Sequence, residues 1–297
     1  MEPSIRRFLA ADQALGENVR ELAVGERAFR FEGLSDDHAE ALERWWGPFF
    51  TANSGLPVDR TIRVTAGGPG VWLAEPRAGE LYRIEPRTTP VGQIALSYAF
   101  AVGPGPDGNW RVALDSDSSE PAPQSLENAT RVLTARMAAE RGGFAMHSAG
   151  VLRDGKAWIF AGPSGAGKST AVRLSAPAVS LGDDFGVVLP GPDGWIAAPL
   201  PFDNAPVAER PGRSSYPVAG IWRLFKADQP RVERLQGLAA VTSLASCLAL
   251  PWVLPDLATT TLEQVDRFCA DSHFGHLHFG LDVDFWEPLS AAVGRLD

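Results

Sequence analysis

Residues 157–175 carry the pattern that most restricts what this chain can fold into. An apolar run, Ala157-Trp158-Ile159-Phe160-Ala161, leads into Gly162-Pro163-Ser164-Gly165-Ala166-Gly167-Lys168-Ser169-Thr170, and Ser169 to Ser175 then opens a helix. A short apolar run that stops at a glycine suits a buried strand. Glycine at three of the nine loop positions lets the backbone turn its N–H groups inward as an anion-binding nest. The spacing is G-x-x-x-x-G-K-[ST], a Walker A phosphate-binding loop. In such a loop Lys168 reaches the outer phosphates of a nucleoside triphosphate, and the Ser169 hydroxyl ligates the accompanying Mg²⁺. A glycine-rich turn that matched by chance would lack the strand before it and the helix after it; here both are present.

The rest of the composition narrows the function classes. The 297 residues suffice for one large domain or two ordinary ones. Net charge is −9 with Lys and Arg scattered, so no basic stripe is available to neutralise nucleic-acid phosphates or to hold an anionic membrane. The opening MEPSIRRFLAADQ has no apolar core of a secretory signal. The most apolar stretch, Leu244 to Leu254, is interrupted by Pro251 and falls short of the roughly 20 residues of a spanning helix. Cys247 and Cys269 lack CxxC spacing, suggest neither zinc nor a disulfide, and read as core residues. The expectation is a cytoplasmic protein.

Asp115 to Gln124, polar and with two prolines, is the best linker candidate. Ahead of it the patterning predicts an α+β unit. Ala28–Phe31, Arg60–Thr65, Gly70–Ala74, Glu80–Ile84 and Gln93–Phe100 read as strands, and Asp36–Trp46 as a helix capped by Ser35. Trp45, Trp46, Phe49 and Phe50 read as packed core rather than a docking surface. Beyond the linker an amphipathic helix is expected over Ser125–Arg141, stopped by Gly142-Gly143. Phe144–Leu152 and Lys156–Ala161 form two strands joined by a tight turn at Arg153-Asp154-Gly155. The nucleotide loop is thus fed by the second strand of a hairpin. Further on, Val218–Phe225 reads as a strand, Leu235–Leu250 and Leu262–Ala270 as helices, and His276–Leu281 as an edge strand. The tail histidines His273, His276 and His278 come without a ligand framework of recognised spacing and are read as sheet positions.

Two further signals bear on chemistry. Ser180-Leu181-Gly182-Asp183-Asp184 places adjacent carboxylates at the carboxyl end of an expected strand, 15 residues after Lys168, where open α/β sheets bind ligands. A magnesium-nucleotide site needs a carboxylate for the metal, and transfer to a hydroxyl benefits from one that accepts a proton. Strand alternation would point Asp183 and Asp184 in different directions and so divide these jobs. His147, in Ala145-Met146-His147-Ser148-Ala149-Gly150, stands on the strand before the hairpin; taken alone it reads as a structural residue.

The order His147-Ser148-Ala149-Gly150-Val151, hairpin, GPSGAGKST, short helix and then Gly182-Asp183-Asp184 resembles the catalytic domain of the HPr kinase/phosphorylase family. It is more similar still to the HPr-kinase-like proteins found beside peptide-modification enzymes, over roughly residues 125–297. The resemblance implies a P-loop domain of the HPr kinase/phosphoenolpyruvate carboxykinase-like type. It implies that Gly162, Pro163, Ser164, Gly165, Ala166, Gly167, Lys168, Ser169 and Thr170 cradle ATP or another nucleoside triphosphate, and that Ser169 helps bind Mg²⁺. One of the two aspartates, Asp183 or Asp184, completes the metal site; the other accepts the proton of a serine hydroxyl, with His147 as its electrostatic partner. The family's downstream E-[IV]-R-G-x-G segment is not reproduced: Ala208 to Tyr216 holds only a Glu-Arg pair, so phosphorolysis, the HPr substrate and a hexamer are not implied. Arg210 or Arg213 there could stabilise phosphoryl charge, though arginines among Pro and Gly more often mark a solvated loop.

The expectation is an α/β protein with an N-terminal α+β domain over 1–120 and a P-loop nucleotide-binding domain over 121–297. Its activity would be Mg²⁺-dependent phosphoryl transfer from ATP to a serine of a protein or peptide, without nucleic acid or membrane as partner. The alternative is a catalytically weak nucleotide-binding protein that captures a peptide or protein.

Overall fold

In the computed structural model every residue from 1 to 297 is described except 69–71, 78–79, 81, 203–210, 212–214, 281–283 and 295–297. The chain is mixed α/β with two sheets and divides into two compact units. The first unit comprises Met1–Arg136 together with Pro251–Asp256; the second comprises Met137–Asn204, Arg210–Leu250 and Leu257–Asp297. The division falls within the long helix that follows the linker, whereas the expected boundary at 120/121 lies at that helix's start.

The first unit runs α1 (Pro3–Ala10), β1 (Asn18–Val24), β2 (Arg27–Leu34), α2 (Asp36–Trp46), β3 (Phe50–Thr51), β4 (Val58–Ala66), β5 (Glu85–Thr89), β6 (Gly92–Leu96), β7 (Phe100–Pro104), β8 (Trp110–Leu114) and the start of α3 (Ala122–Glu140). Its sheet has the order β3-β1-β2-β4-β8-β7-β6-β5. Ser35 caps α2 as its type predicts, its hydroxyl accepting the His38 N–H, and Asp36 and Asp37 add negative charge at the helix's positive end. Trp46, Phe49 and Phe50 are buried core, Trp46 and Phe50 meeting edge to face at 5.2 Å, whereas Trp45 is half-buried and its indole N–H donates to Glu127. Neither Trp72–Ala74 nor Tyr82–Ile84 forms a strand; the remainder of those two expected segments includes residues outside the described set. Gln93–Phe100 is broken between Leu96 and Phe100, where the Ser97 hydroxyl accepts the N–H groups of Ala99 and Phe100 and turns the chain into a hairpin.

The second unit continues with β9 (Phe144–Met146), β10 (Ser148–Arg153), β11 (Lys156–Ala161), α4 (Lys168–Leu174), β12 (Val179–Asp183), β13 (Gly186–Gly191), β14 (Gly194–Ala197), β15 (Tyr216–Lys226), β16 (Arg231–Arg234), α5 (Gly237–Ala245), α6 (Ala258–Asp271), β17 (Phe274–Phe279) and α7 (Trp286–Val293). The β10–β11 turn has φ of 52° at Asp154 and 74° at Gly155, the two left-handed residues of a tight hairpin turn. Phe144–Leu152 is two strands, not one. The chain breaks at His147, because β9 pairs with β13 while β10 pairs with β11 and β12. The helix expected over Leu235–Leu250 ends at Ala245. The tail strand β17 is not at an edge: it lies between β15 and β16.

Alternation along the central strands sorts the core into two layers. Ala157, Ile159, Ile221 and Phe274 face α5 and α6 through Ala240, Leu244, Val265 and Phe268. Trp158, Phe160, Trp222, Leu224 and Leu277 face the other way, onto Ala171 of α4 and onto Phe285, Trp286 and Leu289. Cys247 and Cys269 belong to the first layer as expected. Among the described residues no helix is long and apolar enough to cross a membrane.

Glu120, just before α3, sets a pH dependence. Its buried carboxylate accepts hydrogen bonds from Ser125 Oγ (2.8 Å), Tyr82 Oη (3.1 Å) and Asn128 Nδ2 (3.1 Å). Burial nevertheless raises its pKa above the ordinary 4.5, outweighing those bonds. Because the folded state holds the proton more tightly than the unfolded one, this contribution to stability is complete below the unfolded value. It is lost as pH rises through the folded value. Glu120→Gln should remove that decline, so urea midpoints of the wild type should fall relative to the variant as pH is raised from about 4 toward 7. Parallel midpoint profiles would contradict the assignment.

Candidate functional site

The pairing pattern collects four strand ends at one edge. β11 is parallel to β15, and β15 to β17, while β10 is antiparallel to both β11 and β12. β12, β11, β15 and β17 therefore point the same way and end at Asp183, Ala161, Lys226 and Phe279. The carboxyl edge of such strands is where open α/β sheets bind ligands. Here it opens into a cleft of roughly 870 Å³.

The cleft is lined by the loop from Ser164 to Thr170, by Asp183 and Asp184, by Lys226, Ala227 and Asp228, and by Phe279 and Gly280. Its size is that of a small-molecule site, about 300–1,000 Å³. Gly162 and Pro163 stand behind the lining and support it: the Lys168 ammonium donates to their carbonyls at 3.1 and 3.3 Å. Lys168 is only 8% exposed, so its charge is held at the floor of the cleft. Gly162, Gly165 and Gly167 have φ of 154°, 77° and 105°. At Gly167 a Cβ would also come within 3.0 Å of the Phe279 ring, so the loop needs glycine both for its path and for its wall.

Asp183 and Asp184 both line this cleft, which corrects the expectation that alternation would separate them. The strand ends at Asp183, and left-handed φ values at Gly182 (138°) and Asp184 (132°) break the pleat. Asp184 is held in that conformation by its N–H, which donates to the Ser148 carbonyl at 3.0 Å. Non-glycine residues in sparsely populated regions cost about 1–3 kcal/mol and persist where the surroundings over-determine them.

His147 is half-buried at the break between β9 and β10 and is not among the residues lining the cleft. Its main chain ties the site together: the His147 carbonyl accepts the Gly162 N–H at 3.1 Å, and the His147 N–H donates to the Cys247 carbonyl at 2.9 Å. Burial raises the Cys247 thiol pKa against the opposing pull of Arg223 and Lys168, and burial pushes Cys269 up to about 11, so neither is an activated thiolate. Arg210 and Arg213 lie outside the described residues.

Sequence reading missed Lys226, Asp228, Phe279 and Gly280. No local motif marks them; the signal was topological, since they stand at or just beyond the ends of strands parallel to β11. Gly280 has a packing reason, because a Cβ there would lie 2.9 Å from the Ala227 carbonyl oxygen. The polar side chains of the cleft are two ammonium groups, three carboxylates and the Ser164, Ser169 and Thr170 hydroxyls. Hard oxygen donors of this kind suit Mg²⁺ better than a soft metal.

Residues 123–264 match the model of the family described as SynChlorMet cassette protein ScmC. The match takes in His147, the glycine-rich loop, both aspartates and Lys226, and stops before β17. The description names a cassette, not a reaction. No curated protein matches the chain.

The strain at Asp184 is measurable. Asp184→Gly should unfold at higher urea than Asp184→Ala, by roughly 1 kcal/mol after glycine's extra backbone entropy is subtracted. Equal stabilities would mean that the Asp184 backbone is not strained.

Proposed function

We propose that this chain is an ATP-dependent, Mg²⁺-dependent serine kinase of the HPr-kinase-like type, acting on a protein or peptide acceptor. The observation that carries the proposal is the convergence of the buried Lys168, the glycine-rich loop and two neighbouring aspartates, one of them in a strained backbone conformation, on one cleft at the carboxyl edge of the sheet.

In this reading the loop's N–H groups and Lys168 hold the phosphates, and Lys226, at the end of the neighbouring strand β15, adds positive charge to the same cleft. Ser169 and one of Asp183 and Asp184 would hold Mg²⁺, which when bound neutralises charge on the phosphate oxygens. The remaining aspartate accepts the proton of the acceptor hydroxyl as its oxygen bonds to the γ-phosphorus. The bond from that phosphorus to the β–γ bridging oxygen breaks, and ADP leaves. Catalysis here is positioning and charge neutralisation rather than covalent chemistry. Lys168 and the loop glycines fit this role because the ammonium is already fixed beside the loop carbonyls, so little reorganisation is needed.

The test is transfer of radiolabel from γ-labelled ATP, with Mg²⁺, to peptides and proteins encoded beside this gene. The wild type should label an acceptor on serine, and Lys168→Ala should lower the rate on the order of 10²-fold or more while circular dichroism stays native. Wild-type rates in Lys168→Ala would refute the site. Tight Mg²⁺-dependent ATP binding with no labelled acceptor would favour the second reading, a nucleotide-gated binding protein.

A further inference from the structure

A second cluster lies on the α5 face of the same sheet, on β16 and on β15 and β17, at residues that the nucleotide reading does not use. His276 and His278 project together from β17, and the register sets Glu233 of β16 opposite His276 and Arg231 opposite His278. On the other side, Arg223 and Phe225 of β15 stand opposite His276 and His278. Residues paired across neighbouring strands share a face, so six side chains from three strands meet there.

One potential ligand atom each from Glu233, His276 and His278 lies within 4.8 Å of the other two. Glu233 Oε2 is 3.8 Å from His276 Nδ1 and 3.9 Å from His278 Nε2. Ligands about 2.0–2.2 Å from one tetrahedral ion stand roughly 3.4 Å apart, so the two carboxylate–imidazole separations are within about half an ångström of that spacing, and the imidazole–imidazole separation, at most 4.8 Å, closes by side-chain rotation. The rings are already oriented. His276 Nε2 lies 2.9 Å from Ser243 Oγ of α5, and Ser243 Oγ also accepts Arg223 Nη1 at 3.2 Å. A hydroxyl oxygen has two lone pairs, so it can accept both an Nε2–H and the guanidinium, leaving the His276 Nδ1 lone pair toward Glu233. His278 is stacked on Phe225, with centroids 5.2 Å apart and planes at 21°. A partner on the far ring nitrogen is the usual support for a metal-binding histidine.

We infer that Glu233, His276 and His278 form a binding site for a borderline divalent transition cation, Zn²⁺ being the natural choice, with the fourth position open to water. Two imidazoles and one carboxylate form a known three-ligand zinc set and suit Mg²⁺ poorly. This separates the site chemically from the oxygen-lined cleft. Two cations oppose binding: Arg223, held on Ser243 Oγ beside His276, and Arg231, whose Nη2 lies 3.1 Å from His278 Nε2 and 3.4 Å from its Nδ1. Arg231 is exposed on the edge strand, so its guanidinium can swing into solvent as the ion enters. The bound cation would clamp β16 to β17. Sequence reading set these histidines aside because the third ligand, Glu233, is more than forty positions from them and joins them only through strand pairing.

The experiment is a Zn²⁺ titration of the full-length, chelator-stripped protein by calorimetry, with Co²⁺ as a spectroscopic substitute. One Zn²⁺ per chain should bind with micromolar or tighter affinity, and Co²⁺ should give the visible bands of a tetrahedral nitrogen–oxygen site. His276→Ala and His278→Ala should each weaken binding by about 10-fold or more, and Ser243→Ala, through the ring it orients, by about 10-fold. Two variants on the exposed edge strand make the test independent of core folding: Glu233→Gln should weaken binding and Arg231→Ala should tighten it. The paired substitution Asp183→Asn with Asp184→Asn should leave Zn²⁺ affinity unchanged. The inference is overturned if less than one Zn²⁺ binds per chain, if binding survives loss of both histidines, or if it vanishes with the two aspartates.

Discussion

The site depends on one strand running against its neighbours. β10 lies antiparallel between β11 and β12, so its first residues sit at the edge where those two strands end. Two backbone hydrogen bonds there link pieces that are distant in sequence. The Gly162 N–H binds the His147 carbonyl at the start of the glycine-rich loop, and the Asp184 N–H binds the Ser148 carbonyl at the acidic pair. The carbonyls of two successive residues, His147 at the break and Ser148 at the start of β10, therefore fix both the loop and the acids. The break between β9 and β10 at His147 is the place where the chain moves between its two sets of partners, and its backbone polar groups are satisfied by Gly162 and Cys247.

That arrangement explains why charge can be gathered where it is. Lys168 is buried against main-chain carbonyls, which accept hydrogen bonds without adding a full negative charge of their own. Asp184 keeps a conformation that few residues tolerate because the Ser148 contact and the end of β12 leave it no alternative. The remaining wall comes from Lys226–Asp228 at the end of β15 and from Phe279 and Gly280 at the end of β17, tied by the Ala227 N–H to the Phe279 carbonyl at 3.0 Å. The Phe279 ring then packs where a side chain at position 167 would otherwise lie. Both faces of the sheet are covered by helices, so what remains open to a ligand at this edge is the row of strand ends.

What could be read in advance was what local chemistry decides. The β11–loop–α4 segment, the left-handed turn at Asp154-Gly155 and the Ser35 cap are each written in a few adjacent residues, and each stands as the local pattern predicts. Pairing decided the rest. Nothing within Phe144–Leu152 announces that it must divide, since the cause is the placement of β13 and β11 on different sides. His276–Phe279 alternates as well in the middle of a sheet as at its edge, so its burial between β15 and β16 was invisible. Lys226 and Asp228 reach the cleft only because β15 is parallel to β11. The position of the two aspartates at the end of β12 followed from spacing, whereas their shared outlook required the backbone angles at Gly182 and Asp184.

The account's central claim is that a magnesium–triphosphate settles against the loop and the acidic pair. Amide hydrogen exchange of the full chain, with and without Mg²⁺ and ATP, tests this most directly because it reports on the same backbone N–H groups assigned to the phosphates. The account predicts slowed exchange across Gly162 to Thr170 (Pro163 having no amide), at Asp184 and in the Lys226–Asp228 turn, with no comparable change in β1 to β8. Protection confined to the first unit, or unchanged exchange in the loop at saturating nucleotide, would contradict it.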